Sequence, residues 1–264
     1  VAAVRGIAVI GNLSRDMIDG GPPRVGGAPY HAARALRLLG GSSRIVARCA
    51  ESDRRMLVGQ LAALGVPFDW LPAPSTATFE LRYQGEERDL TITDTGAPWT
   101  IADAHAVGRA DWVQVGALTR ADFPADVLAA LARDRRVALD GQALVRPART
   151  GPVVFDADFD PAVLKHVTAL KLNEQEVEVL GGEERAVELG VPELLLTHGS
   201  TGGVVIARGV RERVPVRPIL TPNPTGAGDA FLAGYVWARA AGHRPASAAR
   251  HGATTAARVL ELAL

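Results

Sequence analysis

The residues from Thr221 to Gly234 read Thr-Pro-Asn-Pro-Thr-Gly-Ala-Gly-Asp-Ala-Phe-Leu-Ala-Gly, a proline-rich turn leading into small residues that open a helix running to Ala241. Without bulky side chains, the backbone N–H groups of Gly226, Ala227 and Gly228 can approach a ligand closely. A helix start also presents unpaired donors at the positive end of the macrodipole, so this segment has the character of an anion hole. Asp229 falls in the first turn, beside the place an anion would take. A carboxylate there either caps the helix or removes a proton from a hydroxyl that attacks a phosphoryl group, and position alone favours the cap.

Several familiar chemistries are missing. The chain has no G-x-x-x-x-G-K-[ST] phosphate loop, no G-x-S-x-G elbow and no His/Cys cluster with zinc spacing. As a dinucleotide fingerprint, Gly226-Ala227-Gly228 fails, because Phe231 stands at the third glycine position and the segment lies far from the first strand. The 29 basic and 29 acidic residues cancel over 264 positions, which argues against nucleic acid or an anionic membrane as partner. Only two of the basic residues are lysines, Lys165 and Lys171, and the arginines are scattered without a run. The single cysteine, Cys49, sits in a strand-like segment and reads as a structural thiol, consistent with a reducing cytoplasm. No apolar run approaches the ~20 residues of a membrane span.

The elements that must position Asp229 follow from apolar periodicity. Short runs rich in Val, Ile and Leu alternate with segments of helical spacing, the pattern of a doubly wound α/β fold with a mostly parallel central sheet and helices on both faces. Strands are expected at Ile7–Asn12, Arg44–Arg48, Trp112–Gly116, Arg136–Leu139, Ala169–Leu172 and Leu194–Thr197, and helices at Tyr30–Leu39, Asp53–Leu64 and Pro124–Arg133. Two hairpins break the alternation. Val204–Ala207 with Arg211–Val216 suits a sheet edge, whereas the β-branched and aromatic strands within residues 76–93 suit a flap over a site. The whole chain, 1–264, reads as one domain with this small lid hairpin.

Four segments in order resemble the signatures of the ribokinase-like sugar kinases, the PfkB family. Gly26-Gly27-Ala28-Pro29 resembles the amino-terminal double-glycine signature, Lys171-Leu172-Asn173-Glu174-Gln175-Glu176 the N-x-x-E motif, Leu196-Thr197-His198-Gly199-Ser200-Thr201-Gly202 the T-x-G-x-x-G strand-loop, and Gly226-Ala227-Gly228-Asp229 the carboxyl-terminal signature. The resemblance implies an ATP-dependent kinase acting on a hydroxyl of a sugar or cyclic polyol. Asp229 is then the general base, and Gly226, Ala227 and Gly228 hold charge on the transferred phosphoryl group. Asn173 and Glu176 match the residues that keep Mg2+ and its waters near the triphosphate; read from the residues alone they are an N-cap and a solvated first-turn acid. Thr197, Gly199, Gly202 and Thr225 match nucleotide-binding positions, and His251 falls in the helix that lines the adenine pocket, where a small polar residue is usual.

At the acceptor end, Asp16 matches the substrate-binding aspartate. A carboxylate that accepts from two hydroxyls suits a polyol or a furanose; without the resemblance it reads equally as a solvated loop acid. Gly26 and Gly27 bring the main chain close to the substrate. His31, where the family usually has Asn, is a substrate contact or a structural side chain. Leu139-Asp140-Gly141-Gln142-Ala143-Leu144-Val145-Arg146 resembles a D-x-Q-G-x-x-R segment of the short branch containing inositol kinase, which makes Gln142 a further substrate candidate.

The chain also departs from the family pattern. Asn223 replaces the acid that helps hold a monovalent cation. Asp16 and Gly26 are only ten residues apart, which implies a lid reduced to the hairpin, with Phe79, Leu81 or Tyr83 facing the substrate. Monomer and homodimer are both compatible with such a lid. The alternatives to a sugar or polyol kinase are a nucleoside kinase of the same fold and a ligand-binding relative without catalysis.

Overall fold

A computed structural model describes residues 6–40, 43–84, 87–219 and 224–262, the side chains of 83–88 excepted. The elements run β1 (Ile7–Asn12), β2 (Ser14–Ile18), β3 (Arg24–Gly26), α1 (Ala28–Leu39), β4 (Ser43–Ala50), α2 (Arg54–Ala62), β5 (Phe68–Ala73), β6 (Ala77–Gln84), β7 (Glu87–Asp94) and α3 (Ile101–Ala106). They continue with β8 (Trp112–Gly116), α4 (Ala125–Ala132), β9 (Arg136–Asp140), α5 (Gln142–Val145), β10 (Gly151–Pro152), β11 (Ala169–Asn173), α6 (Glu174–Val179) and α7 (Glu183–Glu188). The chain closes with β12 (Glu193–Thr197), β13 (Gly203–Ala207), β14 (Val210–Val214), α8 (Ala227–Ala240) and α9 (Pro245–Glu261).

Nine strands form the main sheet in the order β14-β13-β12-β11-β9-β8-β1-β4-β5, parallel from β12 to β5, with the β13–β14 hairpin antiparallel at one edge. Every residue of β1 is buried, as expected of a central strand covered on both faces. Its side chains alternate between two cores: Ile7 and Val9 pack with α1, α2, α8 and α9, while Ala8 and Ile10 pack with α3, α4 and α5. Strand β5 escapes the apolar-run pattern because it contains Pro72, which is tolerated at the open edge of the sheet.

The lid differs from the expected single hairpin. The β6–β7 pair is present, but it belongs to a five-stranded sheet in the order β10-β7-β6-β2-β3. The nine residues between Asp16 and Gly26 suffice for the antiparallel β2–β3 pair, because Asp19-Gly20 turns with both residues at positive φ (50° and 70°). Strand β2 then joins β6 in parallel, and the short Gly151–Pro152 strand, in a stretch that reads as loop, closes the other edge against β7. One face of this sheet is apolar, with Ala77, Phe79, Leu81 and Ile92 packed on Leu118 of the main body.

Candidate active site

The cavity between the two sheets measures about 680 Å³. It opens at the carboxyl ends of β9, β11 and β12, with the starts of α1 and α8 as a second wall and Phe79, Leu81 and Leu90 of the lid as a roof. This is the side on which open α/β sheets take ligands, because strand ends and helix starts converge there.

The start of α8 is built by Gly226, which caps the helix in the left-handed region at φ 84°. Its backbone carbonyl accepts from the N–H of Ala230 (2.9 Å), while Pro224 takes the N–H of Ala227 (3.1 Å). Of the three expected anion-hole positions, Ala227 therefore has its donor engaged within the turn, a use of the proline-rich entry that the motif does not reveal. Gly228 and Asp229 occupy first-turn positions whose N–H groups have no partner four residues back. Gln114 on β8 donates from Nε2 to the Asp229 carbonyl at 3.2 Å and ties the helix start to the sheet.

Asp229 is half-buried in the cavity wall. Burial raises its pKa to about 7, helped by Asp140 and Glu176 and opposed by Lys171 and Arg146. Asp140 ends β9 and Lys171 lies two residues before the end of β11; their side chains pair at 2.8 Å. Loss of hydration would lower the Lys171 pKa, but Asp140 and Glu176 overcome it and hold the ammonium charged. The motifs give no role to Asp140, Lys171 or Arg146, although all three line the cavity. Their place at strand ends and in the loop just beyond is the signal that could have marked them.

Asn173 and Glu176 form a reciprocal capping box: Asn173 Oδ1 accepts from the Glu176 N–H and Glu176 Oε2 accepts from the Asn173 N–H, both at 2.8 Å. The helix-cap reading of this pair is thus met, but Glu176 is not a solvated acid. It is 1 % exposed, and Gly141 leaves the space it fills, since a β-carbon there would lie 2.6 Å from its Oε2. Asn173 reaches the cavity; Glu176 stands behind it, 3.9 Å from Lys171. Burial pushes the Glu176 pKa up against the pull of Lys171.

The acceptor candidates gather under the lid. Asp16, on β2, lines the cavity and accepts from Ser14 Oγ at 2.7 Å. Gly26 is set behind it on β3: a β-carbon at Gly26 would come within 2.1 Å of Asp16 Oδ2, so the glycine makes room for the carboxylate. Gly27, at φ 92°, caps α1 and lines the cavity, as do His31 and Gln142. His31 is buried, and burial, with Arg34 nearby, lowers its pKa to about 4. Its Nδ1 has no hydrogen-bond partner. Phe79 and Leu81 face the cavity; the side chain of Tyr83 and residue Asn223 lie outside the described residues.

The opposite end is largely apolar, with Ser200 and Arg217 also in its lining. Thr197, Gly199, Gly202 and Thr225 line it near Asn173, and Val216, Ile219, Ala253, Ala256, Ala257 and Leu260 extend it. Gly202, at φ 106°, passes so close to β14 that a β-carbon would meet the Val214 carbonyl at 2.6 Å. His251 is not part of this wall. Two residues from Ala253, and so about 200° round α9, it is exposed and packs on His243 and Trp237 with ring centroids 4.7 and 6.4 Å away.

Among the described residues no three His, Cys, Asp or Glu side chains cluster as a metal cage. The oxygen donors Asp140 and Asn173 line the cavity and suit a hard cation that keeps most of its waters, which is how magnesium accompanies phosphates, whereas Glu176, expected beside the metal, reaches the cavity only through Asn173. No described helix is long and apolar enough to cross a membrane.

Comparison with known proteins agrees with this architecture. A fructokinase from Klebsiella pneumoniae is 26% identical over 267 aligned residues, covering 87% of this chain and 83% of that protein. A pyrophosphate-dependent kinase of the ribokinase family, solved with a pyrophosphate analogue and myo-inositol, superposes with a TM-score of 0.83 over 97% of this chain and 95% of that one at 24% identity. The Arabidopsis thaliana ribokinase complexed with ribose and ATP gives 0.76 over 97% and 93% at 19% identity. These likenesses establish a ribokinase-like fold. The sequence matches the pfkB family of carbohydrate kinases over residues 23–262, and the chain belongs to that family.

Proposed function

We propose that the enzyme transfers the terminal phosphoryl group of ATP to a hydroxyl of a sugar or cyclic polyol, with Asp229 as the general base. The observation that carries this reading is the position of Asp229 at the first turn of α8, in the wall of one cavity that Asp16 also lines beside the lid and that an apolar wall extends. Asp16 accepts hydrogen bonds from two acceptor hydroxyls, and Gln142 and His31 supply further polar contacts. Asp229 takes the proton of the reacting hydroxyl as its oxygen bonds to the terminal phosphorus; the bond from that phosphorus to the bridging oxygen breaks and ADP leaves. The N–H groups at the helix start face the charge on the phosphoryl oxygens. A magnesium ion arriving with the nucleotide would neutralise phosphate charge, held by the phosphates and by waters bonded to Asn173 and Asp140, with Glu176 fixing Asn173 from behind the wall.

Two features bear on the partners. The described roof of the acceptor end is largely aliphatic, Leu81 and Leu90 beside one aromatic ring, Phe79, with Leu118 of the main body facing them. It suits a polyol ring edge better than a stacked nucleobase, so a nucleoside is the second choice of acceptor. The apolar wall formed by Val216, Ile219, Ala256 and Leu260 suits a base and has no use in pyrophosphate binding, which favours ATP over the donor of the pyrophosphate-dependent relative. Phosphoryl transfer measured over sugars, inositols and nucleosides, each with ATP or pyrophosphate, tests the reading. Turnover of a sugar or inositol with ATP supports it; turnover of none, with ligands still bound, would mark a binding protein.

A further inference from the structure

Lysine is rare in this chain: two of its 29 basic residues, Lys165 and Lys171. Arginine serves at the other cationic positions, yet lysine is kept at a site 4 % exposed in the cavity wall. The surroundings give a steric reason. The ammonium is 2.8 Å from Asp140 Oδ2, and a β-carbon on Gly228 would sit 3.2 Å from Nζ. The side chain thus ends between a strand-end carboxylate and the first turn of α8, a gap that a compact ammonium fills and a planar guanidinium does not. An ammonium has three donors. Asp140 takes one, and Glu176 at 3.9 Å is beyond hydrogen-bond length, so donor capacity is left on the side of the helix start.

We infer that Lys171 is a catalytic residue whose ammonium donates a hydrogen bond to an oxygen of the transferred phosphoryl group, as a fixed cation beside the Gly226–Asp229 turn. The inference rests on the phosphotransfer reading above and adds a contact to it. No proton moves to or from Lys171; the ammonium stays charged while negative charge shifts along the breaking bond, and a preorganised charge in a water-poor cleft acts without reorganising. Gly228 gains a reason from the same geometry, because a side chain there would press the ammonium and shift it by a few tenths of an ångström.

The lysine count permits a direct test. Protein labelled with [ε-13C]lysine should give two side-chain methylene signals, with the exposed Lys165 as internal reference. Magnesium, ADP and aluminium fluoride together, a mimic of the phosphoryl group in transfer, should move the Lys171 signal and leave Lys165 in place. Calorimetric binding of that mixture with an unmoved Lys171 signal would overturn the inference, whether or not any variant folds. In Lys171→Met, kcat should fall by about 10²-fold or more with acceptor KM little changed, as for loss of one transition-state donor, and Lys171→Arg should not restore it. A folded Lys171→Met enzyme with wild-type kcat would refute the role of Lys171 alone. Wild-type protein that transfers phosphate to no acceptor would instead remove the reading beneath it.

Discussion

The imidazole of His31 lies directly against Gly226: a β-carbon at Gly226 would approach its Nδ1 to 2.4 Å. The start of α1 thereby supports the turn that opens α8, joining an acceptor-side residue to the proposed anion hole. Gly226 is fixed by two independent demands, its φ of 84° and the lack of space over His31. Gly226→Ala should therefore lower kcat by about 10²-fold or more, the scale set by loss of a preorganised oxyanion donor, while ADP binding measured by calorimetry survives. His31→Ala removes the ring and its hydrogen-bonding atoms and should raise acceptor KM about tenfold, the effect of one hydrogen bond, with donor KM unchanged.

The pH dependence follows from Asp229. As a base it must be ionised, so kcat/KM should fall as pH drops through about 7. His31 does not produce this limb, since it stays neutral down to about pH 4. Asp140 opposes ionisation of Asp229, so Asp140→Asn should move the midpoint to lower pH. Stability runs the other way. The folded state keeps the Asp229 proton up to about pH 7, whereas the unfolded chain loses it near 3.8, so this group's contribution weakens as pH rises between those values. Asp229→Asn should accordingly gain in melting temperature over wild type as pH rises from about 4, with the gain levelling off above about pH 7.

The acceptor end can be tested through a residue that touches no substrate in the proposed arrangement. Gly26 lies behind Asp16, and Gly26→Ala places a methyl 2.1 Å from Oδ2. Steady-state kinetics should show acceptor KM raised about tenfold or more, matching the loss of a charge-assisted hydrogen bond, and donor KM unaltered. Equal rises in both constants would mean that Asp16 does not belong to the acceptor.

At the donor end, Ala256→Trp fills the apolar wall without approaching Asp229. ATP KM should rise sharply, and any turnover supported by pyrophosphate should be untouched. A variant that uses ATP as well as wild type would remove the base pocket from that wall.

The main sheet was readable because its strands are continuous apolar runs buried on both faces, and Ile7–Asn12 matches β1 to the residue. The lid is larger than its sequence suggests because β2 and β3 are short, polar and closed by a turn whose positive φ at Asp19 no apolar pattern signals. Motifs located Asp229, Asn173 and Asp16 because their spacing is local. The Asp140–Lys171 pair joins positions 31 apart, brought together by neighbouring strands β9 and β11, and only the fold displays it. His251 failed for a rotational reason: on α9 the wall facing the cavity is Ala253, Ala256 and Ala257, and His251 lies on the far side.

The most direct measurement is transfer of labelled phosphate from [γ-32P]ATP to the acceptor by wild-type protein and by Asp229→Asn, each folded and each binding ADP. Asp229 as the base requires that the wild type label a sugar or inositol and that the variant be slower by about 10²–10⁴-fold, the range for loss of general-base catalysis. Equal rates in the two proteins would contradict it.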